Sequence, residues 1–213
     1  MLMKYKNDVL VILGGWNANI LLNVNWLKRY LFPKTKNFKL EMPVNLSIPR
    51  PPQILTSSIR LSLMGPKLSF APLRKSDALF EDIEELGKKV ADFLPHTPIS
   101  ATGINFLFEE EKNDKSLTWD IRNGEEKLKS IGDISEEVHR YSFALEDCTL
   151  NLSIQKLADG RQTYDFNFHH TVQTLADIKE ILTKKHIIEY KKESEAYLAN
   201  LLEYNPEKRD YDE

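Results

Sequence analysis

The chain has 213 residues, 41% hydrophobic and 29% charged, with a formal net charge of -3. That length suits one large domain or two small ones. The charge argues against a nucleic-acid binder built on an overall basic field, and no apolar run approaches the ~20 residues needed to cross a bilayer.

The first eight residues, Met1 to Asp8, carry no signal-peptide apolar region. Val9 to Leu13 is a short apolar run ending at Gly14-Gly15, and reads as a buried strand with a tight turn needing positive φ. The spacing of a phosphate-binding glycine loop is absent. Asn23 is placed to cap a short helix through Trp26, Leu27, Tyr30 and Leu31, with Trp26 and Tyr30 on one face as core or interface anchors. Phe38 to Val44 is a second strand interrupted by Pro43, which points to a sheet edge. Pro49-Arg50-Pro51-Pro52 is an extended connector.

Ile59 to Leu63 and Leu68 to Phe70 flank Gly65-Pro66, giving a hairpin. Ser76 or Asp77 then caps a helix from about Ala78 to Leu94. Its apolar stripe runs through Leu79, Phe80, Ile83, Leu86, Val90, Phe93 and Leu94, and its polar face holds Glu81, Asp82, Glu84, Glu85, Lys88 and Lys89. Pro95 and Pro98 stop this helix.

From Ile99 the chain alternates as a central strand. Ser100, Thr102, Ile104, Phe106 and Phe108 point one way, and the smaller set Ile99, Ala101, Gly103, Asn105 and Leu107 points the other. Small residues on a strand admit a close neighbour. The preceding helix is the expected occupant, with a ligand or cofactor ring as the sharper alternative. Asn105 is the one polar group on that side and needs partners if buried.

Glu109 to Lys115 is a charged turn without the spaced ligands of a calcium loop. Trp119 and Ile121 suggest a short strand, and the polar stretch Gly124 to Ser135 a mobile segment or boundary. A meander follows, His139 to Leu145, Leu150 to Ile154 and Thr163 to His170, turning at Asp147-Cys148 and Asp159-Gly160. Two helices, Thr174 to Lys184 and Ile187 to Tyr204, precede a charged, frayed tail at 205–213.

These elements predict an α+β fold, mostly antiparallel sheet, with helices packed on one face and a helix at the C-terminal end. Each of two hairpins, turning at Gly65 and Gly160, is followed by an amphipathic helix. The strand-strand-helix pattern therefore occurs twice, which suggests related halves at 1–112 and 113–204 of one domain spanning 1–204.

The best candidate for chemistry is Tyr164 to His170. Asp165, Asn167 and His169 face one way on an extended strand; Tyr164, Phe166, Phe168 and His170 face a core. The polar row, with Asn105, is either a site or a structural face. Asp165 and His169 would serve a metal-assisted hydrolase if outside groups completed the set. Neighbours His169 and His170 point to opposite faces and do not chelate one ion, so no metal set is complete and no cofactor is implied. Cys148 beside Asp147 is not an activated thiol. As the lone cysteine it fits a reducing cytoplasm. No nucleophile elbow and no H-E-x-x-H are present, and no spacing singles out a carboxylate pair among Glu109, Glu110, Asp120, Glu136 and Glu137.

Lys184 and Lys185, then Lys191 and Lys192, form a local basic patch at a helix junction, diluted by Glu193 and Glu195. They are candidates for an anion or nucleic-acid contact. Tyr190, Tyr197 and Leu201 on the last helix are candidates for an interface with a second copy or a protein partner.

Three fragments together resemble landmarks of a bacterial family without an assigned activity. They are Gly14-Gly15-Trp16-Asn17 with Asn25-Trp26 and Leu31-Phe32; His96 to Phe106; and Asp165 to His170. The likeness extends to about residue 170. It implies a bacterial, cytoplasmic protein of mobile elements or antiviral defence loci, and it carries over no catalytic residue. The leading expectation is a non-enzymatic binding or assembly protein, an accessory or sensor component, self-associating or partner-bound through a sheet edge or the last helix. The metal-assisted hydrolase and the nucleic-acid binder are the alternatives.

Overall fold

The computed structural model describes residues 2–3, 8–35, 37–42, 51–74, 76–110, 136–157 and 161–202. The strands are β1 (Leu2–Met3), β2 (Leu10–Gly14), β3 (Lys39–Glu41), β4 (Gln53–Leu55), β5 (Ile59–Met64), β6 (Lys67–Pro72), β7 (Ile99–Glu110), β8 (Glu136–Ala144), β9 (Thr149–Leu157) and β10 (Gln162–Thr171). The helices are α1 (Ala18–Leu21), α2 (Val24–Trp26, continued by a π-turn at Leu27–Leu31), α3 (Ala78–Phe93), α4 (Leu175–Lys184) and α5 (Ile187–Leu202).

All described strands join one sheet in the order β3-β4-β5-β6-β2-β7-β10-β9-β8, with β1 paired to β7, and every pairing is antiparallel. The mixed α+β architecture with a C-terminal helix is as the sequence predicts. β7 is the seam. One side of it pairs with β10 from Ala101 to Glu110, and the other takes β2 and β1. No helix among the described residues is long and apolar enough to cross a membrane.

The hydrophobic side of the seam is where the helices stand. Ile104, Phe106 and Phe108 of β7 lie beside Tyr164, Phe166 and Phe168 of β10, all buried. Phe80 of α3 meets Phe106 edge-on at 5.9 Å, and Tyr190 of α5 lies 4.9 Å from Phe168. Each such side chain contributes roughly 1.5–3 kcal/mol by leaving water. The preceding helix thus packs on the large-residue side of β7. That corrects the expectation that it covers Ala101, Gly103 and Asn105, which instead line a pocket on the other face.

Several local signals act as expected. Asn23 accepts from the amides of Asn25 and Trp26, and the Trp26 ring lies 5.4 Å from Tyr30. Thr174 and Asp177 form a reciprocal capping box that starts α4. The β5–β6 hairpin turns at Gly65, whose φ of 55 only glycine adopts readily. The strand near Phe38 is the edge strand β3, at Lys39–Glu41.

Others act differently. Gly14 and Gly15 do not have positive φ. Gly14 is required by proximity, because a Cβ there would sit 2.6 Å from the carbonyl oxygen of Pro98. Asp77 stands at the start of α3 without a side-chain capping bond, and accepts from Lys191 instead at 2.7 Å. Glu84 is buried rather than on the polar face of α3. The readings at Pro43, Pro49-Arg50, Lys112 to Lys115, Trp119, Ile121, 124–135, Asp159-Gly160 and 205–213 lie outside the described residues.

Candidate functional site

The register of four strands builds the site. Asn105 of β7 stands opposite Asn167 of β10, Asn167 opposite Asn151 of β9, and Asn151 opposite Ser142 of β8. Paired residues share a face, so the three amides line up across the sheet on the side away from the helices. Ser142 donates to Asn151 Oδ1 at 2.8 Å, and Asn151 Nδ2 to Asn167 Oδ1 at 3.0 Å. Asn167 Nδ2 donates to Asn105 Oδ1 at 2.7 Å, and Asn105 Nδ2 to the carbonyl of Asp8 at 2.9 Å. All four bonds run in the same direction, so each polarises the next. Gly103 leaves the space for this: a Cβ there would lie 2.8 Å from Asn167 Nδ2.

A pocket of about 410 Å³ opens on this face. Its polar lining includes Asp8, Arg60, Lys67, Asn105, Asp165, Asn167 and His169, with Ala101 and Gly103 among the small residues. Apart from Asp8, every lining residue belongs to a strand. Of the residues expected from the sequence, Asn105, Asp165, Asn167 and His169 all line this pocket.

Asp8, Arg60 and Lys67 are the members that sequence reasoning missed. Asp8 accepts from Lys67 at 2.7 Å and from Arg60 at 3.3 Å. Burial pushes its carboxyl up, but Lys67 and Arg60 together outweigh that and hold it below the usual carboxylate range. The hairpin register alone puts Arg60 and Lys67 on one face. The position of Asp8, just before β2, has no such signal.

Asp165 is different. It is half-buried, its Oδ1 is shut off from water, and that oxygen has no hydrogen-bond partner. Burial alone pushes its pKa up. Asp165 and His169 do not converge. They flank Asn167 on an extended strand, about 13 Å apart along the backbone. Among the described residues no three His, Cys, Asp or Glu side chains are placed to hold a metal ion.

The core-facing neighbour His170 is held from both sides. Its Nδ1 lies 3.1 Å from the carbonyl of Asp147, so Nδ1 carries the proton. Its Nε2 is then free to accept from the Tyr190 hydroxyl at 3.1 Å. Burial pulls the His170 pKa down and pushes that of Tyr190 up. Cys148 nearby is half-buried, and burial raises its pKa despite Lys185.

The interface candidates on the last helix are used inward. Tyr190 is only 2% exposed and belongs to the core, which corrects its placement on a surface. Tyr197 donates to Glu193 at 2.8 Å, and Leu201 packs partly buried against the core. The basic candidates are dispersed. Lys184 pairs with Glu180 at 2.7 Å, and Lys185 pairs with Glu193 while lying 4.2 Å from the centre of the Tyr190 ring. Lys191 is buried and pairs with Asp77 and Glu195, so it is not available to a phosphate; Lys192 is exposed.

Among the described strands, β3 and β8 end the sheet, and β8 is the longer edge. This strand ends the strand order, runs nine residues, and alternates between exposed and half-exposed positions. Phe143 and Val138 are exposed there, and the rings of Tyr141 and Phe143 stack at 6.3 Å. No family model, no curated protein and no solved structure matches the chain.

Proposed function

We propose that this chain is a binding and assembly protein rather than a catalyst, and that it associates with a second copy of itself through β8. The observation that carries this reading is the nine-residue β8 edge with Phe143 and Val138 in water. A long edge strand bearing apolar side chains is a template for strand addition, and proteins that stay monomeric usually blunt such an edge. The last helix does not compete for this role, because Tyr190 is spent on His170 and Phe168 inside the protein.

The same reading covers the setting. A cytoplasmic accessory or sensor component of a bacterial defence system needs a stable body that assembles, and the resemblance of the three sequence fragments supports that assignment. The order β5-β6-α3 and β9-β10-α4 also supports descent of the two halves from one strand-strand-helix pattern. Light scattering over a concentration series tests the assembly. A dimer that Phe143→Lys converts to a monomer supports it, and a strict monomer at high concentration removes it.

A further inference from the structure

Asp165 is the acid in the pocket that no described cation neutralises. Its Oδ1 is sealed and unbonded, so whatever balances the charge must approach the rest of the carboxyl from the pocket side. The two cations that line the same pocket are held by another acid, Arg60 with its Nε left without a partner. Arg60 and Lys67 both pair with Asp8, on β5 and β6, while Asp165 is on β10. β6 stands three strand spacings from β10 and β5 four, roughly 14 and 19 Å across the sheet. A half-buried carboxylate beside a polar pocket, with no cation of its own among the described residues, is a group waiting for one from outside.

The surroundings define that cation. Asn167, two residues along the strand, is fixed at both ends by Asn105 and Asn151. Its carbonyl oxygen and that of Asn105 keep a second lone pair each, so the pocket is rich in acceptors. The floor between them is low, made by Ala101 and Gly103, with Val11 and Leu13 beside it. An alkyl stem can lie on that floor while an N–H-bearing head meets Asp165. The absence of a third acidic or imidazole ligand among the described residues makes a metal ion a poor match.

We propose that this pocket is a binding site for an organic cation, an alkylammonium or guanidinium group that pairs with Asp165 and is received by the asparagine ladder. The cation is either a free amine or the Lys or Arg side chain of a polypeptide. The pocket is lined from β2, β5, β6, β7 and β10 and by no residue of β8, so it is tested separately from the assembly.

Calorimetric titration of the whole chain tests it with agmatine, spermidine and the blocked tripeptide acetyl-Gly-Lys-Gly-amide as probes. Tetramethylammonium, which has no N–H, and magnesium chloride serve as comparison cations. Agmatine or the peptide is expected to bind, and Asp165→Asn to weaken that binding at least tenfold. Removal of an exposed acid by Glu180→Gln should leave it unchanged. Asp165→Asn keeps the shape of the side chain and removes an unbalanced charge, so a folded variant is expected and lost binding is not lost structure. Tighter binding of agmatine assigns the site to a small amine, and tighter binding of the peptide assigns it to a protein side chain. Absence of binding by every amine overturns the proposal. So does equal binding by Asp165→Asn, or equal binding of tetramethylammonium or magnesium.

Discussion

Asn167 gives an amide hydrogen to Asn105 Oδ1 at 2.7 Å and takes one from Asn151 at 3.0 Å. Those residues are on strands that the chain reaches far apart, with 62 positions between Asn105 and Asn167. A side chain bonded on both sides is worth more than its own two bonds, because its loss strands two other amides. Asn167→Ala is therefore expected to cost about 1–2 kcal/mol, since water can partly replace it at a half-buried position. Gly103→Ala should act on the same bonds from beneath, as its new Cβ presses on Asn167 Nδ2. Chemical denaturation of both single variants and the double variant checks this. The two losses should be less than additive, and strict additivity would show that Gly103 does not act through the ladder.

Asp165→Asn should stabilise the protein. The carboxyl is pushed up by burial alone, so the folded chain holds a proton at pH values where the unfolded chain has released it. Stability is therefore lost as pH rises from about 3.8 through the folded value. A gain of about 1 kcal/mol, some 2–4 °C in Tm, is expected at pH 7 and should shrink in acid. A variant less stable than the parent at pH 7 would contradict the reading of Asp165 as an unbalanced charge.

His170 makes the opposite contribution. Burial holds its pKa below the ordinary 6.5, outweighing the carbonyl of Asp147. The unfolded chain takes up a proton that the folded one refuses, so the stability that neutral His170 supports is present above about 6.5 and is lost as pH falls through its folded value. His170→Gln should flatten the fall in Tm between pH 7 and pH 5. Tyr190→Phe removes the donor to Nε2 and should cost about 1 kcal/mol while leaving that pH dependence in place.

Glu84 ties α3 to the start of α5. It accepts from Lys88 at 2.6 Å, from His186 Nδ1 at 2.9 Å and from the backbone N–H of Ile187 at 3.3 Å. The last of these satisfies one orphan amide at a helix start. Glu84→Gln removes the charge that holds all of them. A loss of about 1–2 kcal/mol is expected in thermal unfolding, moderated because His186 is solvent-exposed. Glu85→Gln, one position on and exposed, should be nearly neutral.

Much of this architecture was legible in local pattern. The alternation from Ile99 to Phe108 located the central strand and sorted its small side from its large one. The polar row Asp165, Asn167 and His169 was equally visible, because strand alternation alone sorts it from the aromatic row. What the pattern could not supply was the occupant of each face. Whether α3 covers the small or the large side of β7 depends on sheet order, and Ala101 and Gly103 fit a helix as well as a pocket. Tyr190 illustrates the same limit. Its spacing on α5 suits an exposed interface or a core, and only the position of His170 across the sheet decides between them. Glu84 sits among charged neighbours and is indistinguishable from them until α5 lies against it.

The seam at β7 also sets an order of events. The β5–β6 hairpin and the β8–β9–β10 meander join neighbours in the chain and can close early. The seam cannot: Thr102 bonds to the carbonyl of Val11 across 91 positions, and Asn105 to Asn167 across 62. Loop closure on that scale slows folding, into the millisecond-to-second range typical of sheets built from distant pairings. During synthesis β2 therefore emerges well before either strand partner, β6 or β7, and its apolar residues Leu10 and Ile12 wait without them. A chaperone that shields β2 until β7 has left the ribosome would raise the yield of native protein.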